Sequence, residues 1–488
     1  MYPSLYQINT RVWRHRFGTD TKLTAIPESY WQELASVGIE YVWLMGIWQT
    51  GPNVLDYALE PGLREEYARV LPDWSPKDII GSPYAIDHYT LHADLGAPED
   101  LRKVKALLNK YGLKLILDFV PNHFHAESKH IANHPEVFLE VSPPLLQLDK
   151  HTYYRPPNLP ERVFAHGKDP YFAAWQDTVQ VNYATSKAQA FMQDQLLEIA
   201  AVCDGVRCDM AMLPLPHVFQ KTWESAIGLE AAKAKDFWPG AIQKVKNKYP
   251  EFCFIAEVYW DLEWELQQKG FDYTYDKRLR DRLIQLDAKG VQGHLKADLN
   301  FQQKSVRFLE NHDEDRILSE LDTAQALAAA MVTYLTPGMR FFYEGQWEGR
   351  RKRLPVQLGR SAPEVSLLPL NHIDTELRTI PGFDVIDITT AHFYKYLLQI
   401  LQHPNVLTGQ WQLINFTKHP NLVCFDWEGE ESTIKVLINY QQHKTVLYDL
   451  QTEGDWYYFL PKGPQLQLPV SLAPFQWLVL TNNKKEVS

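Results

Sequence analysis

The sequence is poor in cysteine, and the few cysteines that it has do not form a recognisable site. Four of the 488 residues are cysteines, namely Cys203, Cys208, Cys253 and Cys424. Neither their spacing nor a histidine partner indicates zinc. Because the first three lie in apolar, strand-like runs, we predict buried free thiols and a reducing, cytoplasmic location. A mature form that has lost a signal peptide would show the same pattern.

The sequence also lacks the features of a membrane or nucleic-acid-binding protein. No uninterrupted apolar run approaches the ~20 residues that cross a bilayer, and residues 1–6 show no basic region followed by an apolar one. The formal net charge is -11, which gives no electrostatic attraction to nucleic acid or to an anionic membrane. We therefore predict neither as a partner, whereas a neutral substrate is easier to accommodate.

The amino-acid composition is typical of a globular protein. It is 45% hydrophobic and 22% charged, and it is long enough for a large core with one or two smaller domains. Aromatic residues make up 13%, and their rings suit the CH faces and hydroxyls of sugars. Because large folded domains contain many aromatics in any case, this feature alone carries little weight.

Four segments, far apart in the chain, place charged or polar groups at the end of an apolar, strand-like run. They are residues 115–123, 205–209, 254–257 and 308–313, and the last three end on a carboxylate. In a (β/α)8 barrel the strand C-termini converge on one rim and build a site from distant parts of the sequence. The four segments therefore predict a barrel with a site at that rim.

The order of the segments predicts an α/β fold with two additions to the barrel. Strand-like runs at 5–12 and 41–46 alternate with helix-like runs at 30–36 and 98–111. Between 123 and 182 prolines interrupt the periodicity, which predicts a subdomain inserted after the third strand. Short alternating runs from about residue 409 onward predict a C-terminal antiparallel β-sandwich. The predicted division is a barrel over 1–122 and 183–405, an inserted subdomain over 123–182 and a β-sandwich over 406–488.

Taken in order, the four segments resemble the signature regions of the alpha-amylase superfamily of glycoside hydrolases. All four match in residue type and order, and the resemblance covers about residues 5–345. It implies a (β/α)8 TIM barrel and a retaining α-glycosidase that cleaves malto-oligosaccharides or α-glucans. No cofactor is required for that chemistry.

The resemblance makes Asp209 the catalytic nucleophile and Glu257 the general acid and base. Arg207, two residues before Asp209 on the same strand, points the same way, so we predict a lowered pKa for Asp209. The apolar run before Glu257 predicts a raised pKa for that group. An Arg-x-Asp pair alone is more often a salt bridge, and a lone Glu is often a solvated strand end. Their occurrence together and in order favours the catalytic interpretation.

Further roles follow from the resemblance. Asp313 is the third carboxylate, which holds sugar hydroxyls and keeps the acid protonated. Tyr84 is the sugar-stacking platform, with Tyr89 as a second choice. The other predicted substrate-binding residues are Asp118, which braces Arg207, His123, Arg207 itself, His312, Arg316 and Trp260. Alone, His123 and His312 are equally well explained as core histidines.

A structural calcium ion is also implied, with Asn122 as one ligand. Such a site needs further oxygen ligands from the inserted subdomain, where Asp169 and Asp177 are available. Nothing in the spacing selects either aspartate.

One departure from the family concerns Met212 and Leu213. Many starch-cleaving relatives carry Lys and His there, in contact with the leaving-group side. Their absence leaves open a transglycosylase or a glucosidase for a small soluble α-glucoside. A non-catalytic sugar-binding or partner subunit is a third alternative, against which the intact carboxylates argue.

Overall fold

The computed structural model describes residues 2–52, 54–364, 386–451, 454–460 and 462–487. Part of the predicted barrel domain, residues 365–385, lies outside this description. The predicted domain boundaries remain predictions.

Eight parallel strands form a closed barrel, as predicted. They are β1 (Ser4–Asn9), β2 (Tyr41–Met45), β3 (Lys114–Phe119), β4 (Gly205–Cys208), β5 (Cys253–Ala256), β6 (Tyr273–Tyr275), β7 (Ser305–Arg307) and β8 (Met339–Tyr343). β1 pairs with both β2 and β8, with Ser4 opposite Arg340, and so closes the sheet. The first strand is shorter than predicted, because Thr10–Trp13 is helical.

Helices alternate with these strands. The longer ones are Glu28–Ser36, Pro61–Val70, Asp100–Lys110, Ser186–Ala200, Pro216–Ile227, Trp238–Lys248, Lys277–Ile284, Thr323–Tyr334 and Ile388–Leu401. Shorter helices are Lys129–Asn133, Pro143–Leu148, Glu263–Gln268, Ala288–His294, Leu299–Gln303, Ile317–Glu320 and Pro404–Thr408. None of the helices in the described ranges is long and apolar enough to cross a membrane.

The strand sequence decides which side chains face the barrel interior. Leu115 and Leu117 of β3 pack outward in the large apolar core, whereas Ile116 packs in the interior cluster. Asp118 shares the interior face with Ile116, since side chains alternate along a strand. Arg207 of β4 lies opposite Asp118 in the ladder, so both reach the same level of the barrel.

Two inserted segments extend from the barrel at the C-terminal ends of its strands. After β3, strands His123–His125 and Thr178–Gln180 pair antiparallel, and between them Tyr153–Tyr154 pairs with Phe164–Ala165. This is the segment predicted as an insertion. After β2, strands Trp48–Thr50 and Ile86–Leu91 form a second antiparallel pair, which the sequence analysis did not predict.

The C-terminal region is antiparallel β-structure, as predicted. Five strands form one sheet: Gln410–Ile414, Leu422–Glu428, Thr433–Asn439, Tyr457–Leu460 and Trp477–Thr481. A smaller sheet, Thr445–Leu447 with Val470–Leu472, contributes to the apolar cluster on one face. On the other face, Val423 and Phe425 join the core of the barrel. Cys424 alternates with them, and all four cysteines are buried free thiols, which confirms that prediction.

Candidate active site

The predicted carboxylates Asp209 and Glu257 lie at the C-terminal ends of neighbouring strands and share one guanidinium. β4 and β5 pair in register, and the Glu257 amide donates to the Cys208 carbonyl. Nη1 of Arg207 lies 2.7 Å from Oδ1 of Asp209, and Nη2 lies 2.8 Å from Oε2 of Glu257. Both carboxylates are therefore held side by side at the top of the barrel.

Arg207 is buried in a cage of aromatic rings. Its guanidinium carbon lies 5.1 Å from the ring centroid of Trp43, 5.3 Å from that of Tyr84 and 5.9 Å from that of Tyr275. Asp118 is 3.5 Å from Nη1 and accepts a hydrogen bond from Trp43 Nε1. Asp118 thus contacts Arg207 from the neighbouring strand, at the same level of the barrel.

Two further contacts hold Glu257. Its Oε2 accepts a 2.7 Å hydrogen bond from the backbone N–H of Met210, and its Oε1 accepts a 2.9 Å bond from the Tyr259 hydroxyl. Met210 has a φ of 40°, in the left-handed region that non-glycine residues seldom adopt. This strained residue follows the predicted nucleophile directly and turns its N–H toward the predicted acid.

The titration of the two carboxylates follows from burial. Burial raises the pKa of Glu257 to about 7, against the effect of Arg207, and the charges of Asp209 and Asp313 add to the rise. This confirms the predicted direction. Burial also raises the pKa of Asp209, although Arg207 acts to lower it. The predicted lowering for Asp209 is therefore wrong, because burial, together with the charges of Asp118 and Asp313, outweighs the effect of Arg207.

A tight turn presents Asp313 at the mouth of the site. The side-chain oxygen of Asn311 accepts hydrogen bonds of 2.8 Å from the backbone N–H groups of Asp313 and Glu314. The Asp313 side chain is 48% exposed and lies 2.9 Å from Nε2 of His312. Burial acts to raise the pKa of Asp313, but His312 and Arg207 outweigh this effect and lower the pKa to about 2.

Tyr84 and His312 form a stacked pair beside these carboxylates. Their ring centroids are 5.4 Å apart at an interplanar angle of 30°, and the Tyr84 hydroxyl lies 2.5 Å from His312 Nε2. The other ring nitrogen, Nδ1, lies 2.7 Å from Nε2 of Gln7 on β1. Tyr84 is thereby fixed with its ring along the cleft.

These groups line an open cleft of about 430 Å3. Of the predicted residues, Asp209, Glu257, Asp313, Tyr84 and His123 line it, whereas Arg207, Asp118 and His312 support it from behind. The second choice, Tyr89, does not line it and donates a hydrogen bond to the Val120 carbonyl. The other lining residues, to which the sequence analysis gave no substrate-binding role, are Tyr57, Ser82, Ala85, Trp175, Asp177, Thr178, Met210, Tyr259 and Gln357. Of these, Tyr259 is the sequence neighbour of the predicted Trp260.

Two predicted substrate-binding residues lie elsewhere. Arg316 donates to Glu310 and to the Glu344 carbonyl, is 2% exposed and does not line the cleft. Trp260 packs against Tyr171, with ring centroids 4.8 Å apart, and is also outside the lining.

The predicted calcium ligand does not fit a metal site. The side-chain oxygen of Asn122 accepts a 2.9 Å hydrogen bond from Gln180, and Asp169 accepts from the backbone N–H groups of Tyr171 and Phe172. Asp177 accepts from the Tyr57 hydroxyl and faces the cleft. Within the described residues, no group of three or more His, Cys, Asp or Glu side chains is arranged to hold a metal ion.

Comparisons with known proteins agree with this geometry. A family model described as "Alpha amylase, catalytic domain" matches residues 34–362. Alpha-amylase MalA of Haloarcula japonica is 24% identical over 55% of this chain and 36% of its own length. Alpha-amylase 2 of Dictyoglomus thermophilum is 23% identical over 74% of this chain and 58% of its own. The chain thus spans about a third to three fifths of these relatives. The fold of an alpha-amylase from Lactobacillus plantarum matches with a TM-score of 0.66, 20% identity and coverage of 98% of both chains.

Proposed function

Because the chain belongs to the alpha-amylase family, we propose that it is a retaining α-glycoside hydrolase. It cleaves α-glucosidic bonds in malto-oligosaccharides or α-glucans through a covalent glucosyl-enzyme. The observation that carries this proposal is the single Arg207 guanidinium that holds Asp209 and Glu257 side by side in an open cleft. Retaining enzymes need two carboxyl groups only about 5 Å apart, whereas inverting enzymes leave room for a water between them.

In the first step, an Asp209 oxygen attacks the anomeric carbon and forms an ester bond to it. The glycosidic C–O bond breaks, and Glu257 gives its proton to the departing oxygen. A pKa of about 7 leaves Glu257 protonated in a substantial fraction of molecules at neutral pH. In the second step, ionised Glu257 takes a proton from water as the water oxygen attacks the anomeric carbon and releases Asp209.

The surroundings support this division of roles. The negative charges of Asp209 and Asp313 favour a protonated Glu257, and Arg207 stabilises Asp209 as an anion when it leaves. Tyr84 offers a ring face for the sugar that reacts. All three predicted catalytic carboxylates are present in the cleft, which favours an enzyme over a non-catalytic subunit.

A glucosidase or transglycosylase for a small soluble α-glucoside is the second candidate. Met212 and Leu213 are buried in the apolar core, so neither reaches the leaving-group side of the cleft. A long glucan then has fewer polar contacts beyond the cleavage point.

We also propose a cytoplasmic location, which cell fractionation tests.

Turnover by matched variants tests the proposal. The native protein is assayed on maltose to maltoheptaose, sucrose, trehalose and glycogen, with products resolved. Asp209→Asn removes the nucleophilic charge at constant size and should reduce kcat by several orders of magnitude while sugar binding persists. Asp20→Asn, at an exposed position, is the control and should leave kcat unchanged.

Glu257→Gln should behave differently from Asp209→Asn. An aryl glucoside with a good leaving group needs little protonation, so Glu257→Gln should retain its first step on that substrate. Equal loss in both variants on both substrate types would contradict the assigned roles. Sugar binding without turnover by the native protein would favour the binding-subunit alternative.

A further inference from the structure

A second pocket, separate from the catalytic cleft, contains two buried arginines that form no ion pair with any carboxylate in the described part of the chain. It has a volume of about 290 Å3, and Arg11, Arg14, His15 and His92 contribute to its wall. Arg11 is 6% exposed and Arg14 is 8% exposed. Buried charges are normally paired, because an isolated ion loses its hydration.

Among the described residues, neither guanidinium forms an ion pair with a carboxylate. Asp94 is the one acid that the described residues contribute to the pocket wall, and its side chain is 69% exposed and lies 3.7 Å from His92. Arg16, on the same segment, provides a contrast: Glu344 lies 3.0 Å from it. Glu344 and Glu348 thus pair with Arg16, whereas no described carboxylate forms an ion pair with Arg11 or Arg14.

Both arginines donate to backbone carbonyls, but Arg14 alone keeps a buried donor without a partner in the described ranges. Arg11 donates to the carbonyls of Ile80 and Gly81, at 3.0 and 2.7 Å. Arg14 donates from Nη1 to the Thr21 carbonyl at 3.1 Å, but its Nε is buried and has no partner among the residues that the structure describes. An unsatisfied buried donor on a cation indicates a missing acceptor, preferably an anion.

The pKa values of the two histidines are lowered by burial and, next, by the positive charge of the arginines. Burial and then Arg14 lower the pKa of His15, against the weaker effects of Asp20 and Asp94. Burial and then Arg11 lower the pKa of His92, with Arg14 and Lys22 adding to the effect and Asp94 opposing it.

We propose that this pocket binds a small oxyanion, the phosphate group of inorganic phosphate or of a hexose phosphate. The guanidinium fork matches phosphate oxygens, and the two imidazoles add donors when they are protonated. The segment between the two sites contributes Ile80 to the wall of the pocket and Tyr84 to the wall of the cleft, and the Gly81 carbonyl between them accepts from Arg11. An anion bound in this pocket would lie next to the catalytic cleft but outside it.

Calorimetry and thermal unfolding of the full chain in phosphate-free buffer test this inference. Inorganic phosphate should bind at one saturable site and raise the midpoint of unfolding. Arg14→Met keeps the apolar stem but removes the charge, so it should weaken phosphate binding at least about tenfold. His15→Gln should weaken it to a smaller extent. The control is Arg69→Met, at a side chain 68% exposed, which should bind phosphate like the native protein.

The probes also separate the two sources of the anion. A hexose phosphate that binds at least about tenfold tighter than phosphate, and loses this advantage in Arg14→Met, identifies a sugar phosphate. Equal binding of both probes identifies the free anion. The proposal is overturned if neither probe binds saturably, or if Arg14→Met and His15→Gln both bind phosphate as the native protein does.

Discussion

A single guanidinium, that of Arg207, contacts Asp118, Asp209 and Glu257. One positive charge cannot keep three buried carboxylates ionised at once, so burial raises the pKa of all three. Asp313 is the exception, because His312 lies beside it at the exposed rim. The site thus keeps one carboxylate protonated near neutral pH at a position where a proton is needed.

This titration predicts the pH dependence of kcat/KM. Asp209 must be ionised and Glu257 protonated, so activity should fall on the acid side and, above about pH 7, on the alkaline side. The Tyr259 hydroxyl donates to Glu257 and stabilises its ionised form. Tyr259→Phe should therefore raise the pKa of Glu257 and move the alkaline limb upward by roughly half a unit.

Tyr448→Phe, at a side chain 74% exposed, is the matched control and should leave the profile unchanged. If the alkaline limb stayed in place or moved to lower pH in Tyr259→Phe, the Tyr259 hydroxyl would not be stabilising the ionised form of Glu257. A flat profile in the native protein would mean that Glu257 is not the proton donor.

The residue types that carry the chemistry were predictable, whereas many of their neighbours were not. Asp209, Glu257, Asp313 and Tyr84 stand in short motifs at predicted strand ends or next to them. Tyr57 lies in a short 3-10 helix and Asp177 and Gln357 lie in turns, so their approach to the cleft depends on tertiary packing. The pKa of Asp209 was unpredictable because the sequence shows its arginine but neither its burial nor the nearby charges of Asp118 and Asp313.

At the element scale, the loop after β7 is closed by a buried ion pair. Arg316 donates to Glu310 at 2.8 Å, and the Ile317 amide donates to the other Glu310 oxygen at 3.0 Å. Asp313 lies on this loop, so Arg316 acts on the site by holding the loop rather than by touching sugar.

Arg316→Gln should therefore reduce stability more than substrate affinity. It leaves Glu310 buried and unpaired, which should lower the free energy of unfolding by about 3 kcal/mol. KM should change little, because Arg316 does not line the cleft. Chemical denaturation and steady-state kinetics measure both quantities.

The double variant with Glu310→Gln is the control. Removing both charges should recover part of the lost stability, because no unpaired ion remains. A large rise in KM with unchanged stability in Arg316→Gln would instead support a direct contact of Arg316 with sugar.

Element positions were more predictable than element ends. Strands such as Tyr41–Met45 and helices such as Asp100–Lys110 lie where apolar periodicity places them. The antiparallel pair after β2 was missed, because its register shifts and its second strand is only partly buried, which weakens alternation. Residues 10–12, the end of the predicted first strand, belong to the helix Thr10–Trp13, which is buried on all sides and so has no amphipathic pattern to indicate a helix.

At the scale of the whole molecule, the C-terminal sheet shares the core of the barrel. The indole N–H of Trp427 donates to the Leu335 carbonyl at 2.8 Å, and the Tyr440 hydroxyl donates to the Leu283 carbonyl at 2.7 Å. Both side chains are fully buried. We therefore expect the barrel and this sheet to unfold together.

Trp427→Ala should lower the free energy of unfolding by about 3 to 5 kcal/mol. Calorimetry should show one transition at a lower temperature, and activity should be lost in the same transition. Trp264→Ala, at a side chain 51% exposed, is the control and should have little effect. Two separate transitions, with activity unaffected by the first, would show that the sheet is dispensable for the barrel.

The anomeric configuration of the first product tests the central claim, a retaining mechanism with Asp209 as nucleophile, most directly. Proton NMR of maltoheptaose hydrolysis, recorded before mutarotation, distinguishes the two anomers at the new reducing end. Retention predicts that the α-anomer appears first and that the β-anomer grows in only at the rate of mutarotation. If the β-anomer appeared first, the side-by-side carboxylates would not act as nucleophile and acid, and the retaining mechanism would be contradicted.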